Sequence, residues 1–283
     1  MPKVKISNSR GLEQSTGTGM VCEELTVRKE GASKVGHTGL IIGKGSAADA
    51  QADPYTQGTT QLWPLGTRMI YGDREFMYVL MASSGVTSGK LCQAAVHQGS
   101  DHLDMDTTAA VSAGSYTVSI ETNGTDLTKD QYAGGYLWVN DGTGEGQLFK
   151  IKSHAAHDHS DDPTCVFTLY DPVETALAAS GTSKVTIHQA KGYKVVVAAH
   201  AESAALVGAT VIPMDADNYG WLQTRGPAAL WTLGTVVVGN NVTRATATSN
   251  GPVQAAGDDV STLVGEVMVV NVTTDYSLID MRL

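Results

Sequence analysis

From Thr67 onward, apolar residues come in short runs broken by Gly, Asn, Asp and Ser, and few stretches keep the three-to-four spacing of an amphipathic helix. Such runs predict strands. "REFMYVLMA" (74–82) is compact, apolar and aromatic. "GVTSGKLCQAAV" (85–96) puts Gly85 and Gly89 around a turn before a second strand, so the two runs are expected to pair as a hairpin. "YLWVNDGTGEGQLFKI" (136–151) has apolar residues on both sides of an Asn-Asp-Gly turn, a strong hairpin signal. The last third returns to strands in "GYKVVVAAHA", "GATVIPMD", "YGWLQTRGPAALWT", "GTVVVG", "RATATS" and "LVGEVMVVNVTTDYSLIDMRL". Several short strands between Gly turns suggest a barrel or sandwich.

Two stretches read as helical. "DPVETALAASG" (171–181) opens on Asp171-Pro172, an N-cap followed by proline at the first helical position, and closes on Gly181. "HAESAALVGA" (200–209) could add one turn.

Residues 1–66 lack sustained periodicity and are rich in Gly, Ser, Thr and Gln. They read as an extended arm with a short strand at "TGLIIGKG", or as a disordered tail. Leu40, Ile41, Ile42, Leu62 and Trp63 are apolar anchors that a tail would not need. Three units follow: an arm over 1–66, a barrel from 67–112 with 190–283, and an inserted β-rich subdomain over 113–189.

Composition narrows the function. The net charge is −10, and the 19 Lys and Arg residues are dispersed, so a phosphate backbone is a poor partner and no nucleic acid is expected. No run approaches the roughly 18 apolar residues of a membrane span, and the N-terminus has no signal-peptide pattern, so no membrane partner is expected either. Cys22, Cys92 and Cys165 are odd in number and far apart, which reads as free thiols in a protein made in a reducing compartment.

"KSHAAHDHSDDP" gathers His154, His157, His159, Asp158, Asp161 and Asp162, a set that suits a transition metal or a solvated loop. "DHLDMD" spaces Asp101, Asp104 and Asp106 but lacks the Gly and Glu of a calcium loop, which favours a polar turn. "DGTGEG" (141–146) has no following Lys-Ser/Thr and no helix, so it is no phosphate cradle. No G-x-S-x-G occurs, and Cys92 and Cys165 fall in strands where a thiol is inert. No cofactor and no catalytic residue is expected.

In "YGWLQTRGPAALW" (219–231), alternation puts Tyr219, Trp221, Gln223 and Arg225 on one strand face, with Leu222 and Thr224 opposite and a bend at Gly226-Pro227. Tyr, Trp and Arg are enriched at interface hot spots. A subunit interface and a barrel core are equally open readings. With Trp231 and Trp63, these residues are the candidate interface.

Five segments taken in order, "LGTRMIYGDREFMYVLMASSGVTSGKL", "YAGGYLWVNDGTGEGQLFKIKSH", "FTLYDPVETAL", "YGWLQTRGPAALW" and "LVGEVMVVNVTTDYSLIDMRL", resemble virion structural proteins of tailed bacteriophages, particularly marine and cyanobacterial ones. The resemblance covers residues 62–283. It implies an all-β fold, a small β-barrel or β-tulip-like domain carrying the insertion. It also implies a capsid decoration or cement protein on the outer surface of the virion, assembled in the host cytoplasm. Its expected partners are the major capsid protein and two further copies of itself in a homotrimer. Two other functions compete. One is a head-fibre, vertex or tail-associated protein whose insertion binds host glycan through exposed aromatics such as Tyr136 and Trp138. The other is a metal-dependent hydrolase using His157 and His159.

Overall fold

The computed structural model describes residues 4–7, 11–14, 40–42 and 53–283, apart from 97–98, 180, 247–248 and 258–261. Most of the expected arm, and Cys22 with it, lies outside the described residues. The fold is all-β and barrel-like, with 45% strand and 1% helix. Among the described residues, no helix is long and apolar enough to cross a membrane.

Two compact units divide the chain at Val35 and Gly36. In the first, β1 (Val4–Ser7) pairs antiparallel with β2 (Gly11–Gln14). The second holds two sheets.

The larger sheet has eleven strands, and its spine runs β13-β6-β14-β15-β19-β18-β16-β17. Before the six-stranded sheet in sequence come β3 (Leu40–Ile42), β4 (Arg68–Tyr71), β5 (Arg74–Leu80) and β6 (Leu91–Gln93). After it come β13 (Val196–Val197), β14 (Leu206–Thr210), β15 (Tyr219–Trp231), β16 (Asn241–Arg244), β17 (Val253–Ala255), β18 (Leu263–Val269) and β19 (Tyr276–Arg282). β15 organises this sheet. Its first half pairs with β5 and its second half with β19, while Leu222 and Gln223 also face β14. A bridge from Thr232 to Val253 brings β17 back to the end of β15 and nearly closes the barrel.

The smaller sheet has six strands in the order β7-β12-β9-β10-β11-β8. They are β7 (Met105–Asp106), β8 (Thr117–Glu121), β9 (Tyr136–Gly142), β10 (Leu148–His154), β11 (Thr164–Leu169) and β12 (Ser183–His188). The expected β9–β10 hairpin is present, with Leu148 opposite Trp138 and Lys150 opposite Tyr136, but its turn falls at 143–146 while Asn140-Asp141-Gly142 stay in β9. Alternation is clean here. Leu137, Val139, Phe149, Ile151, Cys165 and Phe167 turn to one side and make the core, while their neighbours, polar and aromatic or aliphatic alike, turn outward.

Several expected elements differ. Runs 74–82 and 85–96 are strands but not each other's partners: β5 pairs with β4 and β15, and β6 with β13 and β14. The hairpin turn lies one step earlier, where Tyr71 faces Arg74 around Gly72 and Asp73.

Neither helix forms. Val173 and Leu177 are core residues whose backbone N–H groups donate to Ser115 and Val111, so tertiary pairing overrides the capping signal. Gln147 Oε1 accepts from the N–H groups of Glu174 and Thr175 and fixes the same segment. In the second stretch, Leu206–Thr210 is the central strand β14. "GTVVVG" is a turn rather than a strand, and the following strand begins at Asn241, ahead of "RATATS".

Candidate assembly surfaces

β15 carries most of the candidate interface, and its register sorts those residues into distinct environments. Trp221 packs with Met69, Phe76 and Tyr78 in an aromatic cluster, with Trp63, Leu65, Tyr71 and Tyr219 around it. The Tyr78 ring meets Trp221 edge-on at 5.0 Å and stacks beside Tyr219 at 6.0 Å. Burial pushes the Tyr78 phenol up to about 12, although its oxygen accepts a hydrogen bond from the Leu62 N–H. The Arg74 guanidinium lies 5.4–5.7 Å from the rings of Tyr55, Tyr71 and Phe76.

Leu222, the next residue, enters a different core with Val79, Val207 and Met214, and Ala228 and Leu230 enter a third with Val264, Ile279 and Met281. The strand is therefore buried on both faces along its first half. Trp221 and Gln223 lie wholly inside the chain, which is the core reading of this stretch. Arg225 does not share their environment. A register shift falls between Gln223 and Arg225, and Arg225 is exposed, 4.0 Å from Glu75. Tyr219, Trp63 and Trp231 are half-buried.

Gln223 has a role that alternation could not reveal. Its Nε2 donates to the carbonyls of Arg225, Gly226 and Pro227 and so holds the expected bend from inside. Gly226 has φ +80°, and a Cβ there would meet the Asp73 carbonyl at 2.3 Å. Further along, Trp231 meets Tyr276 edge-on at 5.1 Å, with the Lys90 ammonium 4.9 Å from its ring centroid. Burial lowers the Lys90 pKa.

The apolar surface left open lies elsewhere on the barrel. Met268, Val269 (55% exposed), Val270 and Val272 (68% exposed) form the open end of the β18–β19 hairpin. The 237–240 turn is bonded to the same strand: Gly239 N–H donates to Val267 O, and Val267 N–H to Asn240 O. That turn adds the exposed side chains of Val237 and Val238. Six exposed apolar residues on two bonded segments are more than the single, scattered ones that need no explanation.

Compared with family models, curated proteins and solved structures, the chain matches none of them. The surfaces must be read from their own chemistry.

The histidine loop separates in space. His154 turns inward, where its Nδ1–H donates to Ala155 O and its Nε2 accepts from the Tyr132 N–H. Burial lowers its pKa, so the neutral ring is favoured against Phe167 and Tyr132. The Tyr132 hydroxyl bonds Nδ1 of buried His102. His157 and His159 stay together, both 3.0 Å from Thr122 Oγ1. Asp158 bonds the Ser160 hydroxyl and N–H, which lower its pKa, and Asp162 receives the Thr164 N–H. Among the described residues, no group of three or more His, Cys, Asp or Glu could hold a metal ion.

Asp101, Asp104 and Asp106 engage Thr125, Asn140 and Lys184 respectively, but the expected polar turn is confined to 103–104, between the short 3-10 helix Gly99–His102 and strand β7. Cys92 and Cys165 are buried, with thiols pushed up to about 12 and about 11, mainly by desolvation.

Proposed function

We propose that this chain is a structural virion protein that decorates and cements a phage capsid shell, assembling as a homotrimer across subunits of the major capsid protein. The observation that carries the reading is the exposed apolar end of the β18–β19 hairpin with the turn beside it. Apolar surface of this kind is stabilised by burial against another chain, as in a subunit of a larger assembly. The resemblance of five ordered segments to phage head-decoration proteins supplies the identity of that assembly. Half-buried Tyr219, Trp63 and Trp231 and exposed Arg225 remain available to such contacts, while Trp221 and Gln223 support them from within.

Two measurements test the reading. Quantitative mass spectrometry of purified virions should find about one copy of this chain per copy of the major shell protein. Sedimentation of the purified chain should give a trimer, and V269D/V272D should give a monomer with an unchanged circular dichroism spectrum. A few copies per particle would move the protein to a vertex or tail. Absence from particles together with a monomeric wild type would overturn the proposal.

A further inference from the structure

The outer face of the six-stranded sheet is not uniformly polar. Its register aligns an aromatic and cationic row: His188 on β12 faces Tyr136 on β9, which faces Lys150 on β10. Tyr170 follows β11 and donates its N–H to the Lys150 carbonyl, so it continues the row. A second row lies beside it, with Trp138 between Leu148 and Thr186. Leu148 is 61% exposed and Tyr136 41%, while Trp138, Lys150, Tyr170 and His188 are half-buried. Four adjacent chain segments at a spacing of about 4.8 Å make a platform roughly 14 Å across.

Charge on this platform runs against that of the whole molecule. The chain carries −10, yet Lys150 and Lys152 lie here, and among the described residues neither forms an ion pair. The Lys150 ammonium stands 5.4 Å from the Tyr136 ring centroid. The carboxylates lie mainly toward the β7 side: Asp106 pairs with Lys184, Asp141 faces Lys184 at the far end of β9, and Asp104 bonds Asn140 and, through its N–H, Thr186 beside Trp138, while Glu121 lies on the edge strand β8, and none of these pairs with Lys150.

We propose that this face binds an anionic saccharide, whose apolar ring faces stack on Tyr136 and Trp138 while its carboxylate or sulfate pairs with Lys150. Pyranose rings present C–H groups on one face, and flat aromatic side chains with polar edges complement them. An ammonium already poised over an aromatic ring can add a charge-assisted hydrogen bond to an anion without losing the ring contact. Length favours a short oligosaccharide over a single sugar. This site is on a different sheet from the apolar hairpin of the barrel, so binding here and assembly there can fail separately.

The test is calorimetric titration of the full chain with four probes: a galacturonate oligomer, its methyl ester, a sulfated galactan oligomer and the same oligomer desulfated. At least one anionic probe should bind ten-fold or more tightly than its neutral counterpart, and the pair that shows the difference identifies the anion. Y136A and W138A should each weaken that binding at least ten-fold. K150A should reduce the preference for the charged form to near unity, while Y136F should retain binding and so control for misfolding. No binding of any probe, equal binding of charged and neutral forms, or binding indifferent to W138A and K150A in folded protein would overturn the proposal.

Discussion

The two sheets use the same residue types in opposite ways. In the six-stranded sheet strands β8 to β11 have one buried face and one open face, and Leu137, Val139, Phe149 and Ile151 all serve one core, while on β12 Thr186 is buried as well, bonded to Asp104 and Asn140. In the barrel, β15 alone supplies three cores, with Trp221, Leu222 and Leu230 each in a different one. A strand shared among cores has few interchangeable positions. A strand with one open face leaves half its residues free for other work. The difference gives β15 to architecture and leaves the open face of the inserted sheet free for the recognition proposed above.

The largest expected effect falls on the shared strand. Trp221→Ala should cost about 3–5 kcal/mol by emptying the aromatic cluster, measured by chemical denaturation. Near-UV circular dichroism should follow loss of the barrel, while the chemical shifts of Phe167 and Ile187 keep their folded values. Simultaneous loss of both sheets would break the comparison by making them one cooperative unit.

Gly226→Ala comes next. It combines positive φ with a clash against the Asp73 carbonyl and should cost about 1–3 kcal/mol, read as a lowered midpoint of thermal unfolding.

A smaller effect separates the sheets by pH. Burial holds the His154 pKa below its ordinary 6.5, so the unfolded chain takes up a proton that the fold resists. The stability from this group is present above about pH 6.5 and is lost as pH falls through that value toward the folded pKa. Denaturation midpoints of the six-stranded sheet should fall across this window, and His154→Gln should flatten the dependence. The smallest change in stability belongs to V269D/V272D, within about 0.5 kcal/mol because both positions are exposed. Its effect on assembly should nevertheless be complete.

The same contrast explains what could be read in the chain beforehand. Although its turn forms at 143–146, one step after Asn140-Asp141-Gly142, which stay in β9 against β12, the β9–β10 hairpin was legible because a glycine-rich stretch lies between two alternating runs that serve one core. The partners of β5 were not, because its apolar run has no polar face to set a register and its mates Tyr219–Arg225 are far along the chain. The 171–181 stretch shows another limit: local capping residues were present, yet Val173 and Leu177 had a better ladder with Ser115 and Val111. Tyr136 and Trp138 could be singled out as exposed aromatics, but Lys150, Tyr170 and His188 join them only through cross-strand register. Gln223 was singled out by alternation as an interface residue, but its hold on the bend had no sequence signal, since the three carbonyls it serves acquire their geometry only when Gly226 bends the strand.

The chain leaves the barrel after Ala94, whose N–H donates to Ala205, and is back in it by Gly192, whose carbonyl accepts from Leu80; just inside these points, Gln93 and Val196 are paired neighbours on β6 and β13. The six-stranded sheet is thus a cassette hung from adjoining points, and its own first and last strands, β7 and β12, also pair. A short linker joining Ala94 to Gly192 should leave a barrel that folds without the cassette, and an unrelated domain with neighbouring termini should be accepted in its place. Evolution, or an engineer, can therefore exchange what the surface recognises while leaving the scaffold that presents it intact.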